Sequence, residues 1–176
     1  MSAAVAKGTK LTVEVYSDMP SGEDYKAYNR RRWGGDGWTR SLRAKGRAVG
    51  APFANWQTWP HTMRAHQLMM FAPHEKEHEL KERLFEAVYE RGENISDLET
   101  LCRIAGDAGL DTAGFRAVAD TRAARDGVNR ECAQASARGV QGVPFFIVHG
   151  AEDKQPIGFS GAVDPDEFEK ILRQVL

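Results

Sequence analysis

Cysteine is scarce in this 176-residue chain: Cys102 and Cys132 are the two present, and no Cys-x-x-Cys occurs in the sequence. Two thiols set so far apart make no disulfide framework, so a reducing compartment is the expectation. Long hydrophobic runs are absent too, and nothing reaches transmembrane length. Excess charge of either sign is missing, with 24 Lys and Arg against 25 Asp and Glu, for a formal net charge of −1. That balance speaks against wholesale binding to nucleic acid or to a membrane surface. The opening MSAAVAKGTK has no hydrophobic h-region and no cleavage-like site. Residues 1–10 therefore read as a flexible tail and not a secretory signal, which makes the expected location cytoplasmic. Neither an internal repeat nor a low-complexity segment is found.

The sequence is rich in helix signals bracketed by strand signals. LTVEVYSD (11–18) alternates apolar and polar residues as a strand does. MPSGED then makes a turn, and residues 25–49 read as polar helix interrupted by GGDG at 34–37. GAPFANWQTWPH (50–61) reads as an irregular aromatic connector. A helix over 61–72 is stopped by Pro73, and another over 74–91 carries the stripe Leu80, Leu84, Phe85, Val88 and Tyr89. Ser96 and Glu99 have capping-box spacing for a third helix, ending near Gly109. Asp111 and Thr121 are N-cap candidates for two more. PFFIV (144–148) has the composition of a strand buried on both faces, and GFSG (158–161) looks like its hairpin partner. Asp164-Pro165-Asp166-Glu167 starts a final helix with Phe168, Ile171, Leu172 and Val175 on its inner face.

Several residues invite a chemical reading. HEKEH (74–78) fits H-E-x-x-H, with His74 and His78 on one helix face and Glu75 as a general base. It follows Pro73 directly, its flanks are charged on all sides, and no third ligand stands at a suitable spacing. A solvated helix start is preferred, and no metal site is expected. Cys102 and Cys132 fall on apolar helix stripes, as structural thiols do. His66 is read as a structural histidine, and RRRW (30–33) as an exposed helix face. Pro144 cannot donate to a sheet ladder, so it belongs at a strand's first residue or in a loop that shapes a site.

GVQGVPFFIV (139–148) followed by FSGAVDPDEFEKIL (159–172) closely resembles the C-terminal half of the DsbA-like thioredoxin-fold family, in its FrnE branch. That branch is similar to 2-hydroxychromene-2-carboxylate isomerases and kappa-class glutathione transferases. HTMRAHQL (61–68) resembles the family's Asn-Thr-x-x-Ala-His-Arg-Leu, with His61 and Gln67 departing from it. LFEAVYERGENISDLETLCRIAGDAGLD (84–111) and MPSGEDYKAY (19–28) follow the family pattern as well. The resemblance implies an α/β class, α+β by content: a thioredoxin-like fold with a large inserted helical domain and a sheet reduced to about three strands. Residues 11–18 and 140–176 would form the thioredoxin-like half-domain, and 19–139 the insert. It also implies a cis bond between Val143 and Pro144, in a loop that leaves valine backbone groups available to a ligand. Val143, Pro144 and Ser160 are the implied binding residues. An extended peptide or a glutathione-like small molecule is the implied partner, with no resident cofactor unless glutathione serves as one.

The family's active members carry Cys-x-x-Cys after the first strand, at the start of the next helix, where unpaired N–H groups lower a thiol's pKa. Here Asp18 runs straight into MPSGED, and a βα step is missing together with the dithiol. No catalytic residue is therefore assigned. Three readings stand: a thiol–disulfide oxidoreductase relative without its dithiol, a non-catalytic binding module using the Val143–Pro144 loop, and a shortened form of an active oxidoreductase or glutathione-dependent isomerase. Loss of a helix from one sheet face would leave apolar area uncovered, which predicts a homodimer or poor solubility.

Overall fold

A computed structural model describes residues 17–150 and 154–175 of the chain. The expected strand over 11–18 falls almost wholly outside the described residues, and Ser17 and Asp18 are irregular. The chain divides into two compact units, one running to Asn129 and the other beginning at Arg130. No described helix is long and apolar enough to cross a membrane.

In the first unit, β1 (Glu23–Asp24) pairs antiparallel with β2 (Thr58–Trp59). This ladder was not expected from the sequence, because two-residue strands are too short to show any periodicity. Helix α1 (Tyr25–Trp33) starts where the Asp24 carboxylate accepts the Ala27 N–H at 2.8 Å, and stops at Gly34, whose φ of 73° only glycine adopts freely. Helix α2 (Thr39–Ala48) follows the GGDG interruption. Then come α3 (Met63–Phe71), a 3-10 turn over His74–Lys76, and α4 (Glu77–Tyr89). They are followed by α5 (Leu98–Asp107), α6 (Thr112–Val118) and α7 (Arg122–Ala137), whose residues extend past Asn129.

Leu68, Leu80, Leu101, Ile104 and Phe115 form the centre of this unit, each at 1% exposure or less. Burying such a side chain is worth about 1.5–3 kcal/mol, so these five outweigh any surface ion pair in the unit. Two expectations need correction. Phe85 is about half exposed, and the buried face of α4 is Leu80, Leu84, Ala87 and Val88, because the spacing i, i+4, i+7, i+8 keeps one direction where 85 turns away. Ser96 does not cap α5. The Asp97 carboxylate accepts the Thr100 N–H at 2.8 Å, while buried Ser96 Oγ accepts the His61 N–H at 2.8 Å. Asp111 and Thr121 do cap, accepting from Gly114 N and Ala124 N.

In the second unit, β3 (Phe145–Val148) pairs antiparallel with β4 (Ile157–Ser160), with Phe145 opposite Ser160 and Val148 opposite Ile157. Helix α8 (Pro165–Val175) covers one face. Phe146, Phe159 and Phe168 meet there, with ring centroids 5.0–5.7 Å apart. Strand β3 was expected to be buried on both faces; only Val148 is buried, and Phe145, Phe146 and Ile147 are half-buried. Across the other face the Phe145 ring lies against Gly158, where an added Cβ would sit 3.3 Å from it.

Candidate functional site

Val143, Pro144 and Ser160 are brought together at one end of the β3–β4 ladder. Pro144 immediately precedes β3, and its carbonyl accepts the Gly161 N–H at 2.8 Å, one step beyond the Phe145–Ser160 pair. The missing proline N–H costs the ladder nothing at this position. The Val143–Pro144 bond is cis. Val143 is 41% exposed, and no hydrogen bond among the described residues engages its backbone. Ser160 is exposed beside it. An exposed dipeptide with vacant main-chain donor and acceptor, at the end of a ladder, has what an extended ligand needs for strand-like pairing.

Neither cysteine supplies a nucleophile to such a site. Cys102 sits mid-way along α5, 7% exposed, and burial pushes its thiol pKa up. A reactive thiol has the opposite environment, at a helix start with a lowered pKa. Cys132 is half-buried within α7, far from that helix's first turn. Both are reduced.

The histidines and basic residues singled out by sequence divide differently. His74 is highly exposed and faces Glu77 at 3.5 Å, one turn along. No group of three metal-ligating side chains occurs among the described residues. His66 is half-buried and engaged within the protein. The HTMRAHQL segment supplies α3 with a polar cluster that sequence reasoning did not single out. Arg64 Nε donates to Asp120 Oδ2 at 2.8 Å, Arg64 Nη1 donates to the Ser96 carbonyl at 2.8 Å, and Gln67 Oε1 accepts the Asp120 N–H at 3.2 Å. The Arg64 guanidinium holds the Asp120 carboxyl below its ordinary range, and that carboxylate in turn raises Arg64. Burial, reinforced by Arg64, lowers His61. The cluster locks the α6–α7 turn onto α3. Its only sequence signal is the spacing of polar residues inside an otherwise apolar helix.

An aromatic groove is the second feature the sequence did not reveal. Tyr28, Trp33, Trp38 and Trp59 line it, with Gly34, Gly35 and Gly37 between them. RRRW is the exposed helix face its composition indicates, and its tryptophan also forms one wall of the groove.

Compared with known proteins, residues 40–173 match the model of the DSBA-like thioredoxin domain. The chain is also 29% identical over 140 residues to "Uncharacterized protein YwbO" of Bacillus subtilis (strain 168). That match takes in 77% of this chain and 66% of the relative, so the chain spans just under two thirds of the relative's length.

Proposed function

We propose, from the premise that the chain belongs to the DSBA-like thioredoxin domain family, that it acts as a dithiol-free binding module for an extended peptide or a glutathione-like ligand. The reading rests on one observation: exposed Val143 carries main-chain groups without a hydrogen bond among the described residues, beside a Pro144 whose carbonyl is fixed to Gly161. A ligand backbone laid along Val143 would gain hydrogen bonds there, and Ser160 would offer a hydroxyl at the same end of the ladder. The 176 residues contain no Cys-x-x-Cys, and Cys102 is buried with a raised pKa, which supports binding without thiol exchange. Within this reading the chain is a cytoplasmic member of the FrnE branch. Residues 19–139 then act as the inserted helical domain, and the chain pairs into a homodimer.

The test has two arms. In an insulin-reduction assay the chain should give no turnover above background. Titrating ¹⁵N-labelled protein with S-methylglutathione, and separately with a short extended peptide, should shift the Val143, Phe145 and Ser160 amides with either ligand. Turnover lost on replacing Cys102 or Cys132 would make the chain a thiol catalyst after all. Unshifted amides with both ligands would remove the binding reading.

A further inference from the structure

We propose that the groove formed by α1, the glycine loop with Trp38, and Trp59 of β2 binds a planar aromatic ligand bearing an acidic group, of the aromatic carboxylate class. The groove holds about 790 Å³, inside the roughly 300–1,000 Å³ range of small-molecule sites. Trp33 is 59% exposed and Trp38 47% exposed, two large indoles presented to solvent on one surface. Trp38 is held in place. Trp38 Nε1 donates to Asn29 Oδ1 at 2.8 Å, and Asn29, fully buried, donates through Nδ2 to the Tyr25 carbonyl at 2.8 Å. Deeper in, Tyr28 and Trp59 stack with centroids 4.1 Å apart and planes 9° from parallel. Ring faces fixed in advance lose little conformational freedom when a flat ligand stacks on them.

The glycines leave the room. A Cβ added at Gly34, Gly35 or Gly37 would meet nothing within 4 Å, so the loop presents bare backbone to the opening. Charge decides the ligand's sign. Residues 25–49 contain eight Lys and Arg against the single Asp36, in a chain whose net charge is −1. Arg31 lies over the Tyr28 ring but is neutralised by Glu23 at 2.8 Å. Arg32 lies over the Trp33 ring, 5.3 Å from its centroid, with no carboxylate partner among the described residues. Arg32 is not itself part of the lining, but it sits on the indole that forms one wall, and its guanidinium is the cation we assign to the acidic substituent. Trp33 and Trp38, the two exposed indoles of the groove, precede the family-matched residues 40–173.

The experiment titrates the intact chain with 2-naphthoate and, in parallel, with its neutral isostere 2-naphthamide, following tryptophan emission. The chain's four tryptophans are Trp33, Trp38, Trp56 and Trp59, and the last three belong to one ring cluster. Saturable quenching by naphthoate is expected, with a preference over naphthamide of about two- to fivefold, the scale of an exposed ion pair. Arg32→Gln should erase that preference. Gly37→Leu, which fills open space, should abolish binding of both probes. Should Gly37→Leu fail to fold, exposed Trp33→Ala takes its place and should weaken both probes. Equal binding of the two probes, binding indifferent to these variants, or tighter binding of a dT10 oligonucleotide than of naphthoate would each overturn the proposal.

Discussion

At the scale of single residues, competition between neighbours decides what each side chain does. Ser96 and Asp97 stand side by side before α5, and either could cap it. The carboxylate is the stronger acceptor and takes the Thr100 N–H, which leaves the Ser96 hydroxyl for His61 N. Asp97→Ala should therefore cost about 1 kcal/mol as a lost cap. Ser96→Ala should cost about 1–3 kcal/mol, because it strands a part-buried N–H. Urea titrations of both variants check the order, and a Ser96→Ala protein as stable as wild type would contradict it. Acid sensitivity belongs to this scale as well. Asp120 has its folded pKa depressed by the Arg64 hydrogen bond, so its contribution is present above the unfolded value of about 3.9 and fades as pH falls through the lower folded value. His61 is depressed by burial, so its neutral form stabilises above about pH 6.5, and that gain fades as pH drops through its folded pKa. His61→Asn should flatten the fall of Tm as pH drops below about 6.5, and Asp120→Asn the fall below about pH 4. Unchanged slopes in both variants would show that neither group titrates differently on folding.

At the scale of elements, α8 and the β3–β4 ladder depend on each other. Four strand residues a side make a ladder too short to stand alone. Phe168 supplies the third ring against Phe146 and Phe159. Phe168→Ala should cost about 2 kcal/mol, less than the 3–5 of a fully buried phenylalanine because this cluster is half-buried. Gly150 is a second point of contact. A Cβ there would lie 1.7 Å from the Val175 carbonyl oxygen, so the chain passes the end of α8 too closely for any side chain. Gly150→Ala should displace the end of α8, visible as amide shifts around Val175. An unperturbed spectrum would mean that the close approach is relaxed in solution.

At the scale of the whole chain, burial is uneven. Among the described residues, all but two of the buried apolar side chains lie in the unit that runs to Asn129; Val148 and Val175 are the exceptions. Amides of α3, α4 and α5 should exchange far more slowly than those of β3 and β4, since exchange protection follows buried contacts. Hydrogen-exchange mass spectrometry checks this, and equal protection in the two units would contradict it.

Much of this could be read from residue order. Apolar spacing and the Asp111, Thr121 and Asp164-Pro165 starts announce helices, since 3.6-residue periodicity and capping are local properties. PFFIV and GFSG are legible as paired strands for the same reason, and Pro144 as the residue that opens the first of them. What depends on groups far apart in the chain was not legible. The β1–β2 ladder, the Ser96–His61 bond and the Arg64–Asp120 pair join residues 34 to 56 positions apart. The aromatic groove needs Trp59 stacked on Tyr28, a contact no local pattern encodes. Local order determined the helices and the β3–β4 strands; long-range packing chose the short β1–β2 pairing, which polar atoms are satisfied and which rings line the groove.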